Sequence, residues 1–296
     1  VEIADNGFYS QNKKNRDELK RRFKELKESN QVVFTTFHQS MSYEEFLESL
    51  KPFEENKQVY YKIENGIFKQ ICKKAEEKPT ENFVLIIDEI NRGNIASIFG
   101  ELITLIEPDK RKGEDEELSV KLPYSKQDFT VPKNLYIIGT MNTADRSVEA
   151  LDSALRRRFV FEEMPPDETL LNEDFFEVNL QEILRKINLR IEKLIDKDHK
   201  IGHSYFMNLK SEIDLQNAFK NKIIPLLEEY FYGDFVKIGL VLGERFLDIQ
   251  EGGDDIFMKL SEQEGEYSDY ENRKTYKTTV PEKIDDFIND VKNIYL

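Results

Sequence analysis

Three stretches of the sequence assemble residue types suited to magnesium-dependent phosphate chemistry. Phe83-Val84-Leu85-Ile86-Ile87-Asp88-Glu89 is an apolar run that ends in two carboxylates. A strand buried in an open α/β sheet delivers such residues at its C-terminal edge, into the ligand crevice. There Asp88 would hold a metal ion, usually through water, and Glu89 would orient or polarise an attacking water. A solvated acidic turn would use the same two residues, so the pair alone is a weak signal. Tyr136 to Thr143 repeats the design and ends in a small polar cluster, in which Asn142 could touch a γ-phosphate or the attacking water. An amide accepts from water and donates to phosphate without adding charge. A strand-end turn capped by Asn and Thr is the equal alternative. Arg156-Arg157-Arg158 closes a short helix that Ser147 can cap, with Val148, Leu151 and Leu155 facing inward. Adjacent arginines fan around a helix end, so one can reach the phosphate of a neighbouring subunit. Favourable charge at a helix C-terminus would need no such role.

Positioning these groups takes a sheet. Phe83–Ile87 and Asn134–Thr140 read as strands buried on both faces, and Gln31–Phe37 reads as a shorter strand running into Thr35, Thr36 and His38. Ile95, Ile98, Phe99, Leu102, Ile103 and Ile106 fall at helical spacing and predict one helix, with Asn94 to cap it. Arg16–Ser29 carries Leu19, Phe23 and Leu26 on one side of a surface helix. Lys110–Pro132 is an insertion in which Val120-Lys121-Leu122 and Phe129-Thr130-Val131 can pair as a hairpin. Arg158–Phe161 is expected as a last strand before Pro165-Pro166 ends the sheet pattern. Leu180 to Ile195, Leu215 to Phe231 around Pro225, and Ile284 to Val291 then predict helices, and Val1–Phe8 reads as the end of another, stopped by Gly7. The fold class is α/β, with a parallel sheet flanked by helices over residues 1–164 that carries the 110–132 insertion. A smaller helical domain with a C-terminal extension follows over 165–296.

With 43 Lys and Arg against 58 Asp and Glu, the 296 residues carry a formal charge of −15. Any nucleotide or nucleic-acid contact is therefore local and gets no help from a global positive field. A hydrophobic content of 39% supports a sizeable core. The apolar runs are strand-length, far short of a bilayer span, and no secretory signal is visible, so no membrane association is expected. Cys72 is the single cysteine and there are three histidines, which excludes a disulfide framework and leaves too few soft ligands for structural zinc. These features point to the cytoplasm.

Taken in order, the stretches resemble the AAA+ NTPases, and most closely the GTPase subunit of McrBC-type modification-dependent restriction systems. The resemblance rests on Thr36-Phe37-His38-Gln39-Ser40 with Tyr43-Glu44-Glu45-Phe46, on Ile87-Asp88-Glu89-Ile90-Asn91-Arg92, and on Met141-Asn142-Thr143-Ala144-Asp145-Arg146-Ser147. Leu155-Arg156-Arg157-Arg158-Phe159, Ile201-Gly202-His203-Ser204-Tyr205-Phe206 and Pro225-Leu226-Leu227-Glu228-Glu229-Tyr230 extend it. It spans roughly residues 30 to 245, and ordered strings are far more specific than any single one.

The resemblance implies roles residue by residue. Asp88 and Glu89 match the Walker B pair at Mg²⁺, with Glu89 catalytic, and Asn142 matches sensor 1. Arg157 and Arg158 match the trans-acting arginines, with Arg156 beside them at the nucleotide. Asp145 and Arg146 belong to the signature after sensor 1 and shape the nucleotide-bearing subunit interface. Gly202-His203-Ser204 falls where the lid approaches nucleotide, without a sensor 2 arginine. The implied substrate is GTP, with ATP as the alternative. The implied assembly is a homo-oligomeric, hexameric ring with an McrC-like nuclease subunit, engaging DNA mainly through an N-terminal domain. Such a motor hydrolyses GTP between subunits to drive DNA translocation and nuclease activation. A MoxR-like remodelling ATPase, or a catalytically silent scaffold, is the alternative.

One departure stands out. The phosphate-cradling GxxxxGK[ST] loop occurs nowhere in the 296 residues, and its glycine backbone and lysine are what hold the β- and γ-phosphates. These residues by themselves are therefore expected to bind nucleotide poorly and to be inactive. In the family that loop precedes a helix leading into a segment like Val1–Gly7, so it is expected upstream, as is the DNA-reading domain. Glu114-Asp115-Glu116-Glu117 within the insertion argues against a grip on DNA phosphates, and a protein partner is expected there.

Overall fold

A computed structural model of the chain describes residues 13–142, 144, 153–250 and 274–296. It divides into two compact units, Val1–Phe161 and Glu162–Leu296.

In the first unit, α1 (Lys13–Glu28) leads into β1 (Val32–Thr36). A single turn, α2 (Tyr43–Phe46), is fixed by a capping box between Ser42 and Glu45. It runs straight into a hairpin of β2 (Glu48–Glu55) and β3 (Gln58–Asn65), which the residue pattern does not predict. Its connecting residues Asn56 and Lys57 are both left-handed, at φ 53° and 62°, the geometry that two-residue hairpins favour and that Asn-Gly usually marks. Gly66 then starts α3 (Ile67–Glu77) so close to Phe46 that a Cβ would lie 2.4 Å from the Phe46 carbonyl carbon.

β4 (Phe83–Asp88) follows, then a 3₁₀ turn over Ile90–Arg92. The one helix expected next is two, α4 (Ile95–Phe99) and α5 (Leu102–Leu105). Gly100, at φ 51°, breaks the run by entering the left-handed region. Asn94 caps α4, its Oδ1 accepting from the Ser97 N–H at 3.0 Å. The insertion holds β5 (Val120–Lys121) and β6 (Asp128–Phe129), with Val120 opposite Phe129. This pairing is shorter than expected, because the Val131 carbonyl accepts instead from the Lys112 N–H at 2.9 Å. β7 (Leu135–Gly139) and α6 (Ser153–Arg156) complete the unit.

Among the described residues β1, β4 and β7 form one parallel sheet in that spatial order. Thr36 lies beside Asp88 and Ile87 beside Gly139, so three strand ends converge. Phe83, Leu85, Ile87 and Leu135 are buried with a cluster of Phe37, Phe46, Phe68 and Phe99. The strands expected to be buried on both faces are buried on one. Burial alternates along β4, and Phe34, Tyr136 and Ile138 are 53%, 48% and 49% exposed. The last strand expected at Arg158–Phe161 does not form. Val160 is 98% exposed there, and Arg158 is drawn to Glu107, 2.6 Å away.

In the second unit, α7 (Leu180–Leu194) is capped by Asn179 and buries Ile183, Leu184, Ile187 and Ile191. The helix expected across Pro225 is a composite of α8 (Glu212–Ala218), a π turn over Phe219–Ile223, and α9 (Ile224–Tyr230). Proline has no N–H to give to the preceding turn, and a π turn absorbs that lost bond. α10 (Phe235–Leu242), the antiparallel pair β8 (Leu247–Gln250) and β9 (Thr275–Thr278), and α11 (Ile284–Lys292) finish the chain. At the centre of this core Phe219 stacks on Phe246 and meets Phe287 edge-on. Asn188, buried on α7, grips Ile201 through both its N–H and its carbonyl. Among the described residues no helix is long and apolar enough to cross a membrane.

Candidate functional site

The strand ends of β1, β4 and β7 build the site. Backbone pairing continues past β4 on both sides: the Phe37 N–H donates to the Asp88 carbonyl at 2.9 Å, and the Thr140 N–H donates to the Ile87 carbonyl at 2.9 Å. Asp88 ends the strand and Glu89 leaves it in the left-handed region, φ 53° and ψ 43°. Left-handed backbone at a residue with a Cβ costs energy and clusters at functional sites. The turn directs the chain into the 3₁₀ segment, where Arg92 Nε lies 3.2 Å from Glu89 Oε2. Ile90 packs over Gly139 so closely that a Cβ there would come within 2.9 Å of Ile90 Cδ1.

The polar groups of the two strand ends interlock. The Thr140 hydroxyl donates to Asp88 Oδ1 at 2.5 Å and accepts from the Glu89 N–H at 3.3 Å. Asn91 is buried and its Nδ2 donates to the Asn142 carbonyl at 3.3 Å. Asn142 Oδ1 accepts from the Ala144 N–H at 3.0 Å, forming a local turn. Asp88 and Glu89 thus lie at a strand end adjoining the segment that carries Asn142, which Asn91 ties to the turn through its backbone carbonyl. Asp145 and Arg146 lie outside the described residues.

The three arginines divide. Arg157 is exposed. The Arg156 guanidinium stands 5.7 Å from the ring centroid of Phe161, a cation–π distance. Arg158 is less exposed and its Nη2 pairs with Glu107 of the same chain. The helix-end fan thus leaves Arg157 the most available of the three for a neighbour.

Residues outside the expected set matter as well. Thr140 carries only a weak signal in sequence, since a hydroxyl at a strand end is common. Asn91 sits in the string after the acidic pair and ties it to the Asn142 loop. In the second unit, His203 Nδ1 accepts from the Asp167 N–H at 3.0 Å, which gives that imidazole nitrogen a role inside its own unit.

The donor set suits magnesium. Among the described residues no three His, Cys, Asp or Glu side chains gather to hold a metal by themselves. A Mg²⁺ ion usually keeps several waters and takes one or two carboxylates with substrate phosphates, and the Asp88–Glu89 pair matches that arrangement.

A parallel sheet presenting an acidic pair and an asparagine at adjoining strand ends, followed by a helical unit, is the architecture of an AAA+ type core. Residues 15–159 match the AAA domain (dynein-related subfamily) family. Residues 179–239 match the McrB alpha-helical lid domain. The chain belongs to the McrB-like AAA+ proteins. Over 225 residues, 69% of this chain and 48% of that protein, it is 41% identical to the Type IV methyl-directed restriction enzyme EcoKMcrB subunit of Escherichia coli (strain K12). Over 241 residues, 74% of this chain and 68% of that protein, it is 27% identical to the Type II restriction enzyme BsuMI component YdiS of Bacillus subtilis (strain 168). The chain spans about half the length of the first of these relatives.

Proposed function

We propose that this chain is the nucleotide-hydrolysing core of a restriction-system motor, cleaving GTP at the interface between subunits of a ring. The observation that carries the reading is the Asp88–Glu89 pair at the end of the central strand, interlocked with the Thr140–Asn142 segment of the neighbouring strand. The relatives named as restriction-enzyme components support the biological setting.

In this reading Asp88 would hold a magnesium ion through its waters, and the ion would supply charge neutralisation to the nucleotide phosphates. Glu89 orients the attacking water and draws on its proton as the water approaches phosphorus. Asn142 holds that water or a γ-phosphate oxygen through its amide. Arg157 reaches from one subunit to the nucleotide of the next and stabilises charge as the terminal phosphoryl is transferred. Arg158, engaged with Glu107, holds the end of α6 so that Arg157 is presented. The ring is a hexamer, an McrC-like nuclease subunit stimulates it, and DNA is engaged mainly by another domain.

The test is hydrolysis by the full-length protein with Mg²⁺, comparing GTP with ATP, with and without the candidate nuclease subunit. GTP-selective turnover raised by the partner is expected, and Glu89→Gln should retain nucleotide binding while losing turnover by about a hundredfold or more. ATP-selective turnover indifferent to the partner would replace the restriction motor with a remodelling ATPase. Absence of turnover with either nucleotide would make the chain a scaffold.

A further inference from the structure

Thr140 grips every residue of the turn that carries the acidic pair. Its N–H donates to the Ile87 carbonyl and its carbonyl accepts from the Ile90 N–H, both at 2.9 Å. Its hydroxyl donates to Asp88 Oδ1 at 2.5 Å and accepts from the Glu89 N–H at 3.3 Å. Any residue at this position would make the first two bonds, because they continue the sheet ladder. The second two need a hydroxyl. A hydroxyl has one proton and two acceptor sites, so serving Asp88 as donor and Glu89 as acceptor is a consistent use of both.

The consequences differ for the two acids. Asp88 is partly exposed at a strand end, where a carboxylate would otherwise rotate. A charge-assisted bond to Oδ1 fixes the rotamer and leaves Oδ2 for a metal-bound water. For Glu89 the bond satisfies the backbone N–H at the point where the chain enters the left-handed region, and so stabilises the turn that sets the position of its carboxylate.

We propose that the Thr140 hydroxyl is the positioning group for the metal-holding and water-activating carboxylates. This rests on the hydrolase reading above. Thr140 touches neither nucleotide nor water in this role and acts through Asp88 and Glu89. Such second contacts govern metal affinity more than folding.

The test uses Thr140→Val, which keeps the branched shape and removes the hydroxyl, with Thr140→Ser to restore it and Thr140→Ala in reserve if the valine variant does not fold. In the 296-residue chain, amide exchange at Glu89 should quicken by about tenfold in Thr140→Val and return in Thr140→Ser. In the full-length protein loaded with a non-hydrolysable GTP analogue, Mn²⁺ affinity read by electron paramagnetic resonance should fall by about tenfold and be rescued by serine. Unchanged Mn²⁺ affinity in both hydroxyl-free variants, with Glu89→Gln inactive, would overturn the role of Thr140 and leave the hydrolase reading standing. Full turnover by Glu89→Gln would instead overturn the hydrolase reading itself, and with it the role given to Thr140. A loss in Thr140→Val that serine does not rescue would reduce the residue to packing and also overturn the proposal.

Discussion

Asp88, Glu89 and Asn142 stand at strand ends, where an open sheet puts its chemistry, but only the ordered strings around them raise them above an acidic or Asn-capped turn. The arginines were legible only as a group. Sequence places Arg156, Arg157 and Arg158 at one helix end, but the choice among them depends on Glu107, far away in the chain and 2.6 Å from Arg158. The two exposed to different degrees should therefore fail in different ways. In the full-length ring, Arg157→Ala is expected to lower turnover by about a hundredfold or more with its melting temperature unchanged, as loss of a trans-acting arginine does. Arg158→Ala should lower the melting temperature of the chain by a few degrees, as loss of a half-buried ion pair does. Turnover assays and thermal melts on both variants check this. Equal melting losses with equal activity losses would mean that neither arginine is held in reserve for a neighbour.

At the scale of elements, β4 and β7 could be read directly from their apolar runs, whereas the β2–β3 hairpin could not. Lys57 stands where a glycine would have marked its turn, and its apolar residues pack on nothing that gives a period. Leu50, Tyr61, Val59 and Ile63 share one face by strand pairing and are all exposed. A buried carboxylate at its base ties this exposed hairpin to α3 and the insertion. Glu48 Oε2 receives Lys69 Nζ of α3 at 2.6 Å, and Glu48 Oε1 accepts from the Tyr124 and Ser125 N–H groups at 3.0 and 2.9 Å. Burial by itself would raise the Glu48 pKa, but Lys69 and the Ser125 and Tyr124 donors outweigh it and hold the group down at about 2. A carboxyl depressed on folding stabilises above its unfolded pKa, near 4.5, and loses that contribution as pH falls toward about 2. Glu48→Ala, which strands Lys69 in the interior, is expected to cost about 3–5 kcal/mol at neutral pH. Glu48→Gln should cost less, and its deficit relative to the native chain should shrink between pH 4.5 and 2. Denaturant melts across that range test both statements, and a deficit independent of pH would show that the carboxylate charge is not what joins hairpin, helix and insertion.

For the whole molecule, each unit has its own core, and among the described residues the first leaves one face of its sheet open. Phe219, Phe246 and Phe287 lie at the centre of the second unit, among helices that bury their apolar stripes. In the first unit the aromatic cluster lies on one side of a parallel sheet whose other side presents Phe34, Tyr136 and Ile138. Parallel sheets are otherwise found covered on both faces, and exposed apolar patches of this kind mark contact surfaces or aggregation sites. The apolar runs predict strands buried on both sides, whereas among the described residues they are buried on one. The asymmetry gives a direct prediction. A chain of residues 162–296 alone should melt cooperatively, because a unit with its own core folds independently. Residues 1–161 alone should bind a hydrophobic dye and self-associate. Replacing Phe34, Tyr136 and Ile138 together by threonine, which keeps strand preference while removing apolar surface, should reduce both dye binding and association. Calorimetry, dye fluorescence and light scattering on the three chains decide it. Strong dye binding retained by the triple variant would locate the open surface elsewhere, and a non-cooperative 162–296 chain would mean that its core depends on the rest of the protein.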